Sequence, residues 1–301
     1  MDGRAAARLV GSVGLWSNLD RLSAAELREY GRTIERSSRL RALWYPETVG
    51  GKEAFSLATF LLASSERLVV ATGIASVWAR DATAMENGAR AIGEWFPRRF
   101  ILGIGISHRT SAATRGHEYS KPYARMRDYL DQMDAVTYSG PVAHEPVPRV
   151  LAALGPQMLR LAAERGAGAH PYFVPVEHTS AARKVLGAEP LLAVEQAAVL
   201  EPSAEKARAI ARGHTRRYLV LENYVNNLRR LGWSDMDLAP DGGSDALVDA
   251  IVAHGDAASV AKRVEDHLAR GADHVCIQIL VADGGRAPLA ELRALEPRLP
   301  G

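Results

Sequence analysis

Two apolar runs joined by a helical segment constrain the fold more than any other feature of this chain. Residues 69–76, VVATGIAS, and residues 100–108, FILGIGISH, are both about strand-length, and each ends in small or polar residues. Between them, residues 81–95 have the pattern of a helix. Two buried parallel strands connected by a helix form a βαβ unit. Because α/β proteins bind ligands at the carboxyl ends of such strands, the unit also indicates where a site would lie.

The same alternation continues along the chain and predicts a (β/α)8 TIM barrel. Such barrels typically take ~250 residues, so 301 residues fit one α/β domain, residues 1–301, with extra helices near the seventh crossover. A doubly wound sheet is the rival, but residues 14–18, GLWSN, lack the glycine-rich fingerprint that such a sheet needs. The predicted strands are residues 9–16, 42–45, 69–76, 100–108, 147–153, 169–174, 191–200 and 274–281. The predicted helices are residues 23–38, 53–65, 81–95, 123–138, 157–165, 179–186, two within 203–231, 245–254 and 256–269.

Composition excludes several classes of partner. The chain has 37 basic and 35 acidic residues, which are interspersed, so no nucleic-acid partner is expected. No apolar stretch reaches the ~20 residues that a membrane span needs, and we expect a soluble, cytoplasmic protein. Cys276 is the only cysteine and lies in an apolar run, so we expect a buried thiol without a disulfide.

Motifs for metal, hydrolase and phosphoryl-transfer chemistry are missing from the sequence. The 9 histidines show no HxH or HExxH spacing, and the acidic residues do not cluster, so no metal site is expected. There is no GxSxG elbow and no GxxxxGK[ST] loop.

The residues that leave the predicted strands form a small, apolar and aromatic mouth. Trp16 and Tyr172 supply aromatic rings, while Glu47 and His108 supply one acid and one imidazole. This composition suits a flat organic ligand. Gly155 and the residue after it, a proline, follow a predicted strand and open a helix, which is either a phosphate seat or an ordinary strand-to-helix turn. The residues alone leave these two alternatives open.

Five short segments, taken together in their order along the chain, resemble those of a known protein superfamily. They are ALWYPE at 42–47, ATGIAS at 71–76, RFILGIG at 99–105, LGP at 154–156, and the closing helix and strand over 259–278. Together these segments resemble the bacterial luciferase-like superfamily, and within it the oxidoreductases that depend on coenzyme F420, a deazaflavin. The resemblance extends from about Val10 to Val281.

The resemblance implies a TIM barrel, usually a homodimer, that binds a flavin or deazaflavin at its mouth. It implies a cis peptide bond between Gly73 and Ile74 behind the ring, and a cofactor phosphate at the turn after the fifth strand. The cofactor-binding residues expected on this basis are Gly73, Ile74, Ser76, Ser107, Ala153, Leu154, Gly155, Pro156, Gln157 and Tyr172.

The resemblance also places two candidates for proton transfer. Glu47 and His108 fall where deazaflavin-dependent sugar-phosphate dehydrogenases carry their site histidine and glutamate, with the two residue types exchanged. The alternatives are a helix-capping carboxylate for Glu47 and a loop histidine bonded to backbone for His108. No counterpart exists for the lysine and arginine that hold the substrate phosphate in those dehydrogenases, so a sugar phosphate is not expected. The pairs Arg216–Arg217 and Arg229–Arg230 are most simply solvated helix faces. The alternative is a basic rim for the polyglutamate tail of the cofactor.

The sequence therefore predicts an oxidoreductase that transfers a hydride between coenzyme F420 and a small organic substrate. The alternative is a monooxygenase that uses reduced flavin mononucleotide (FMN) and oxygen. A third hypothesis, a flavin-binding barrel without activity, is disfavoured because Glu47 and His108 complete the mouth.

Overall fold

The structure, a computed structural model, describes residues 2–301 and contains ten strands across them. Eight of these strands form a closed parallel barrel, and two short strands extend it at the carboxyl end. The strands are β1 (Val13–Trp16), β2 (Leu40–Tyr45), β3 (Val69–Thr72), β4 (Ala75–Ser76), β5 (Phe100–Gly105), β6 (Arg149–Leu151), β7 (Gly168–Ala169), β8 (Leu191–Val199), β9 (Val252–His254) and β10 (His274–Ile279).

The order of pairing confirms the predicted (β/α)8 barrel. Parallel pairs run β1, β2, β3, β5, β6, β7 and β8, and β10 closes the ring by pairing with both β8 and β1. The short strand β4 resumes after β3 and pairs with β5, while β9 pairs with the end of β8. The carboxyl ends of all eight barrel strands therefore open on one side of the molecule.

Thirteen α-helices cover the barrel within the described chain. They are α1 (Gly3–Val10), α2 (Ala24–Arg36), α3 (Ala54–Ala63), α4 (Ala82–Trp95), α5 (Arg109–Thr114), α6 (Pro122–Asp134), α7 (Pro156–Arg165), α8 (Val176–Leu186), α9 (Ala204–Tyr218), α10 (Glu222–Arg230), α11 (Asp245–Ile251), α12 (Ala257–Ala269) and α13 (Leu289–Leu295). Ser23 caps α2 in a capping box with Glu26. The two helices predicted within residues 203–231 are α9 and α10.

Several predicted element boundaries differ from the structure. Residues 9 and 10, assigned to the first strand, end helix α1, whose buried side chains Ala6, Leu9 and Val10 recur at helical spacing and pack into the barrel interior. Residues 252–254, assigned to a helix, form strand β9. The strand predicted over 169–174 ends at Ala169, and Phe173 adopts a positive φ of 57°. Alternating and helical patterns are hard to distinguish in such short apolar runs.

The barrel interior is mostly apolar but contains ionisable groups. His170, Glu195 and His274 are buried there, and the indole of Trp44 stacks on the His170 ring with centroids 4.6 Å apart. Cys276 is fully buried and free, as predicted. Among residues 2–301, no helix has the length and apolar character needed to cross a membrane.

Candidate functional site

A cavity of about 800 Å³ opens at the carboxyl ends of the barrel strands. Every residue that the sequence predicted for the site lines this cavity except Ser76, which is buried behind it. The lining residues include Trp16, Glu47, Gly73, Ile74, Ser107, His108, Gly155, Pro156, Gln157, Tyr172, Arg217, Tyr218, Asn223, Tyr224, Arg230 and Gln278.

One wall of the cavity is the bulge between β3 and β4. The peptide bond between Gly73 and Ile74 is cis, at the position that the resemblance implied. Gly73 N donates to Tyr45 O at 2.6 Å, which ties the bulge to the end of β2. A Cβ on Gly73 would lie 2.7 Å from Trp16 Nε1, so only glycine allows the backbone to approach the indole this closely.

Glu47 is bound to Arg80 rather than free at the cavity surface. Its side chain is 3% exposed, and both carboxylate oxygens accept from the Arg80 guanidinium, with Nη1 to Oε2 at 3.0 Å. Oε2 also accepts from Ser76 N at 2.8 Å, and the backbone N–H of Glu47 donates to Ile74 O at 3.1 Å. These contacts brace residues 73–76 and leave neither oxygen unused. The predicted proton-transfer role of Glu47 stays a prediction, while helix capping falls to Glu53 at α3.

His108 presents a neutral imidazole to the cavity. It precedes α5 without making a side-chain capping bond, and its ring centroid lies 5.5 Å from that of Tyr224. Burial lowers the pKa of His108, and a hydrogen bond with the Asn223 side chain partly opposes that effect. The preceding residue, Ser107, has a positive φ of 58°, a conformation that non-glycine residues adopt mainly in turns and at functional sites.

Another part of the cavity is built as an anion seat. Helix α7 begins at Pro156 with Gly155 as its N-cap, and no side chain caps this end. Since proline has no N–H, the unpaired first-turn donors are the backbone amides of Gln157 and Met158. A Cβ on Gly155 would lie 3.3 Å from Arg230 Nη2, so the guanidinium stands directly over the helix terminus. Both the helix dipole and the cation favour a bound anion here.

One member of each arginine pair lines the cavity, and the other does not. Arg217 and Arg230 line the cavity, and neither forms a salt bridge to a carboxylate within the described chain. Their neighbours behave as predicted for solvated faces: Arg229 pairs with Asp235, and Arg216 donates to Asp241 O. Helical rotation of about 100° per residue separates the members of each pair, and only the helix orientation reveals which one faces the cavity.

Tyr172 forms the centre of an aromatic wall. Its ring lies 4.9 Å from Trp16 between centroids, and its hydroxyl lies 2.8 Å from both Tyr218 Oη and Gln278 Oε1. Trp78, a third aromatic residue near the mouth, is 8% exposed and donates through Nε1 to Ile106 O, so it packs beside the cavity instead of lining it. No sequence signal singled out Tyr218 or Gln278.

Burial holds three ionisable groups of the barrel in their neutral forms, and one of them, His170, lines the cavity. Desolvation lowers the pKa of His170 to about 4 and that of His274 to about 4, and it raises the pKa of Glu195 to about 8. His274 Nδ1 donates to Gly11 O at 2.7 Å, which leaves Nε2 to accept from Trp44 Nε1 at 3.1 Å. Across residues 2–301, no three His, Cys, Asp or Glu side chains are grouped to hold a metal ion.

Comparison with known proteins gives a family and one curated relative. The sequence profile of the luciferase-like monooxygenase family matches residues 9–274. The 5,10-methylenetetrahydromethanopterin reductase of Archaeoglobus fulgidus is 26% identical over 266 residues, which cover 80% of this chain and 79% of the reductase.

Solved structures share the fold at low sequence identity. An F420-dependent secondary alcohol dehydrogenase in complex with an F420–acetone adduct has a TM-score of 0.73 at 13% identity, covering 95% of this chain and 99% of that one. The coenzyme F420-dependent tetrahydromethanopterin reductase of Methanopyrus kandleri also has a TM-score of 0.73 at 13% identity, with coverages of 96% and 98%. A type II Baeyer–Villiger monooxygenase from Pseudomonas putida, in complex with FMN, has a TM-score of 0.67 at 14% identity, with coverages of 97% and 99%.

Proposed function

The chain belongs to the luciferase-like monooxygenase family, and on that premise we propose that it is an oxidoreductase that transfers a hydride between coenzyme F420 and a small organic substrate. The curated relative is a methylenetetrahydromethanopterin reductase, and two of the structural neighbours are described as F420-dependent. The predicted homodimer and cytoplasmic location stay predictions.

One observation carries the proposal: a single cavity has a ring-sized wall at one part and an anion seat at another. The Gly73–Ile74 bulge and the Trp16 and Tyr172 rings supply apolar surface. The uncapped start of α7 with Arg230 supplies donors and positive charge. A cofactor with a tricyclic ring and a phosphate needs both features, so the residues present fit coenzyme F420.

The chain's residues divide the work of holding this cofactor. Ile74 and Gly73 would support the ring, and the amides of Gln157 and Met158 with Arg230 would hold the phosphate. When bound, the deazaflavin supplies a two-electron hydride carrier that does not react readily with oxygen. Glu47 braces the bulge through Arg80 and Ser76, which keeps the ring support in place.

His108 is the residue best placed to move the accompanying proton. Its imidazole is neutral near pH 7 because burial lowers its pKa, so it can accept a proton from a substrate hydroxyl during oxidation. In the reverse direction the protonated ring would return that proton to the substrate oxygen.

A second unpaired cation favours the deazaflavin over FMN. The tail of coenzyme F420 carries glutamate carboxylates beyond its phosphate, whereas FMN ends at one phosphate. Arg217 lines the same cavity as Arg230 without a carboxylate partner in the described residues, so it is available for a second anionic group.

Equilibrium titration with coenzyme F420 and, separately, with FMN tests the proposal. The purified protein is compared with Arg230→Gln, and Arg229→Gln serves as the matched control because Arg229 faces away and pairs with Asp235. Loss of a charge-assisted hydrogen bond worth about 1.5–3 kcal/mol should weaken F420 binding roughly 10- to 100-fold in Arg230→Gln. The control should bind as the unaltered protein does.

Each outcome of the titration has a distinct meaning. Saturable binding of coenzyme F420 in preference to FMN, weakened only by the Arg230 variant, supports the proposal. Preference for FMN would replace it with the oxygen-using monooxygenase. Binding of neither cofactor would refute both.

A further inference from the structure

A chain of hydrogen bonds from Tyr218 through Tyr172 to Gln278 crosses the cavity wall. The two tyrosine hydroxyl oxygens are 2.8 Å apart, and the Tyr172 hydroxyl donates to Gln278 Oε1 at 2.8 Å. A phenol has a single proton to donate, so Tyr172 must accept from Tyr218 while it donates to the amide. In this arrangement, donation runs from Tyr218 through Tyr172 to Gln278 Oε1.

This order leaves the Gln278 amide with unused donors at the cavity. Since Oε1 is occupied by Tyr172, the two N–H groups of Nε2 are on the other side of the amide. Nε2 makes no hydrogen bond within residues 2–301, and it is not fully buried. Because Gln278 is only partly buried and lines the cavity, Nε2 reaches open space in it.

The surroundings of this amide are aromatic and close to the bulge. Trp16 lies against Tyr172 with ring centroids 4.9 Å apart. A Cβ added at Gly73 would lie 2.7 Å from Trp16 Nε1, so the indole is also close to the bulge. Contacts thus run without a gap from the bulge through Trp16 and Tyr172 to Gln278. A neutral donor beside aromatic rings suits an uncharged acceptor oxygen on an otherwise apolar molecule.

We propose that Gln278 is a specificity-determining residue whose Nε2 donates to the carbonyl oxygen of an uncharged organic substrate. Tyr172 is its positioning residue, because its hydroxyl donates to Oε1 and so turns Nε2 towards the cavity. The proposal rests on the proposed function for the presence of a substrate in this cavity. A ketone matches the site, since an amide N–H polarises a carbonyl as well as binding it.

Infrared spectroscopy of carbonyl-labelled acetophenone tests this assignment directly. The probe is bound to the F420-loaded protein, to Gln278→Glu, to Tyr218→Phe, and to Gln132→Glu, a control that makes the same change on the exposed face of α6. In the unaltered protein and the control, the bound carbonyl band should shift to lower wavenumber because it accepts a hydrogen bond. Gln278→Glu should abolish the shift and weaken acetophenone binding roughly 3- to 10-fold. Tyr218→Phe should leave the band shifted, because Tyr172 still donates to Gln278 Oε1 and the reversed arrangement would lose Tyr218 as the acceptor of the Tyr172 proton.

Other outcomes would overturn the proposal. A shifted band that persists in Gln278→Glu, or no bound band in the unaltered protein, excludes Gln278 as the carbonyl donor. Weakened binding of coenzyme F420 with unchanged acetophenone binding would assign the donor to the cofactor ring instead of the substrate. If coenzyme F420 does not bind at all, the proposed function fails, and the same spectra recorded without cofactor still decide whether Gln278 binds the carbonyl.

Discussion

Replacing Glu47 by glutamine separates a bracing role from a catalytic one. The Glu47–Arg80 pair is nearly buried, with side chains 3% and 11% exposed. Breaking a buried pair typically costs about 3–5 kcal/mol, because a charge is left without its partner. Arg80 keeps a second carboxylate, Glu53, whose side chain is 49% exposed, so we take the lower end, about 3 kcal/mol. With an unfolding entropy of roughly 2.1 cal/mol/K per residue, this chain should lose about 5 °C in Tm.

Calorimetry and urea unfolding measure this loss, with Glu53→Gln as the matched control. The control removes the exposed partner of the same guanidinium and should cost only about 1 kcal/mol. Well below Tm, the Glu47 variant should bind coenzyme F420 and transfer hydride within a few-fold of the unaltered rate. An unchanged Tm together with a rate loss of roughly 100-fold or more would refute this reasoning, since general acid–base groups contribute about 10²–10⁴-fold.

Three further predictions concern stability. Burial lowers the pKa of His170 and His274 to about 4. Between about pH 6.5, the usual pKa of histidine, and pH 4, only the unfolded chain therefore binds these protons. The urea midpoint should fall as pH is lowered through this range, and a constant midpoint would contradict the prediction. Burial raises the pKa of Glu195 to about 8, so native stability declines as pH rises towards 8, and Glu195→Gln should stabilise the chain more at pH 8 than at pH 5 in urea titrations; equal gains would be inconsistent with it. Ser23→Ala should lower the free energy of unfolding by about 1 kcal/mol through loss of the capping box, and an unaltered urea midpoint would show that this cap contributes nothing.

The barrel could be predicted because its signals are local. Capping residues such as Ser23 and Asp81 begin helices where the sequence placed them, and the apolar runs of β3 and β5 are the predicted parallel pair. Helix α1 was not predicted because its residues Leu9 and Val10 have the same apolar character as strand residues. These two side chains lie on a helix and pack into the barrel interior. The short strands β7 and β9 have too few residues to show the alternating hydrophobic pattern that predicts a strand.

The candidate site was predictable in its location but not in its pairings. The strand exits placed His108, Gly155 and Tyr172 in one cavity, because parallel strands end on the same side. The partner of Glu47 lies 33 residues away along the chain, and no spacing rule connects it to Arg80. Similarly, the rotation of α10 about its axis, which is set by tertiary packing, brings Arg230 over α7 and turns Arg229 away.

A crystal structure of the protein in complex with coenzyme F420 would show where the ring and the phosphate bind. The ring should lie against Ile74, and the phosphate should accept hydrogen bonds from the backbone amides of Gln157 and Met158 and from the Arg230 guanidinium. A ring bound away from the Gly73–Ile74 bulge, or a phosphate held at any other helix terminus, would contradict it.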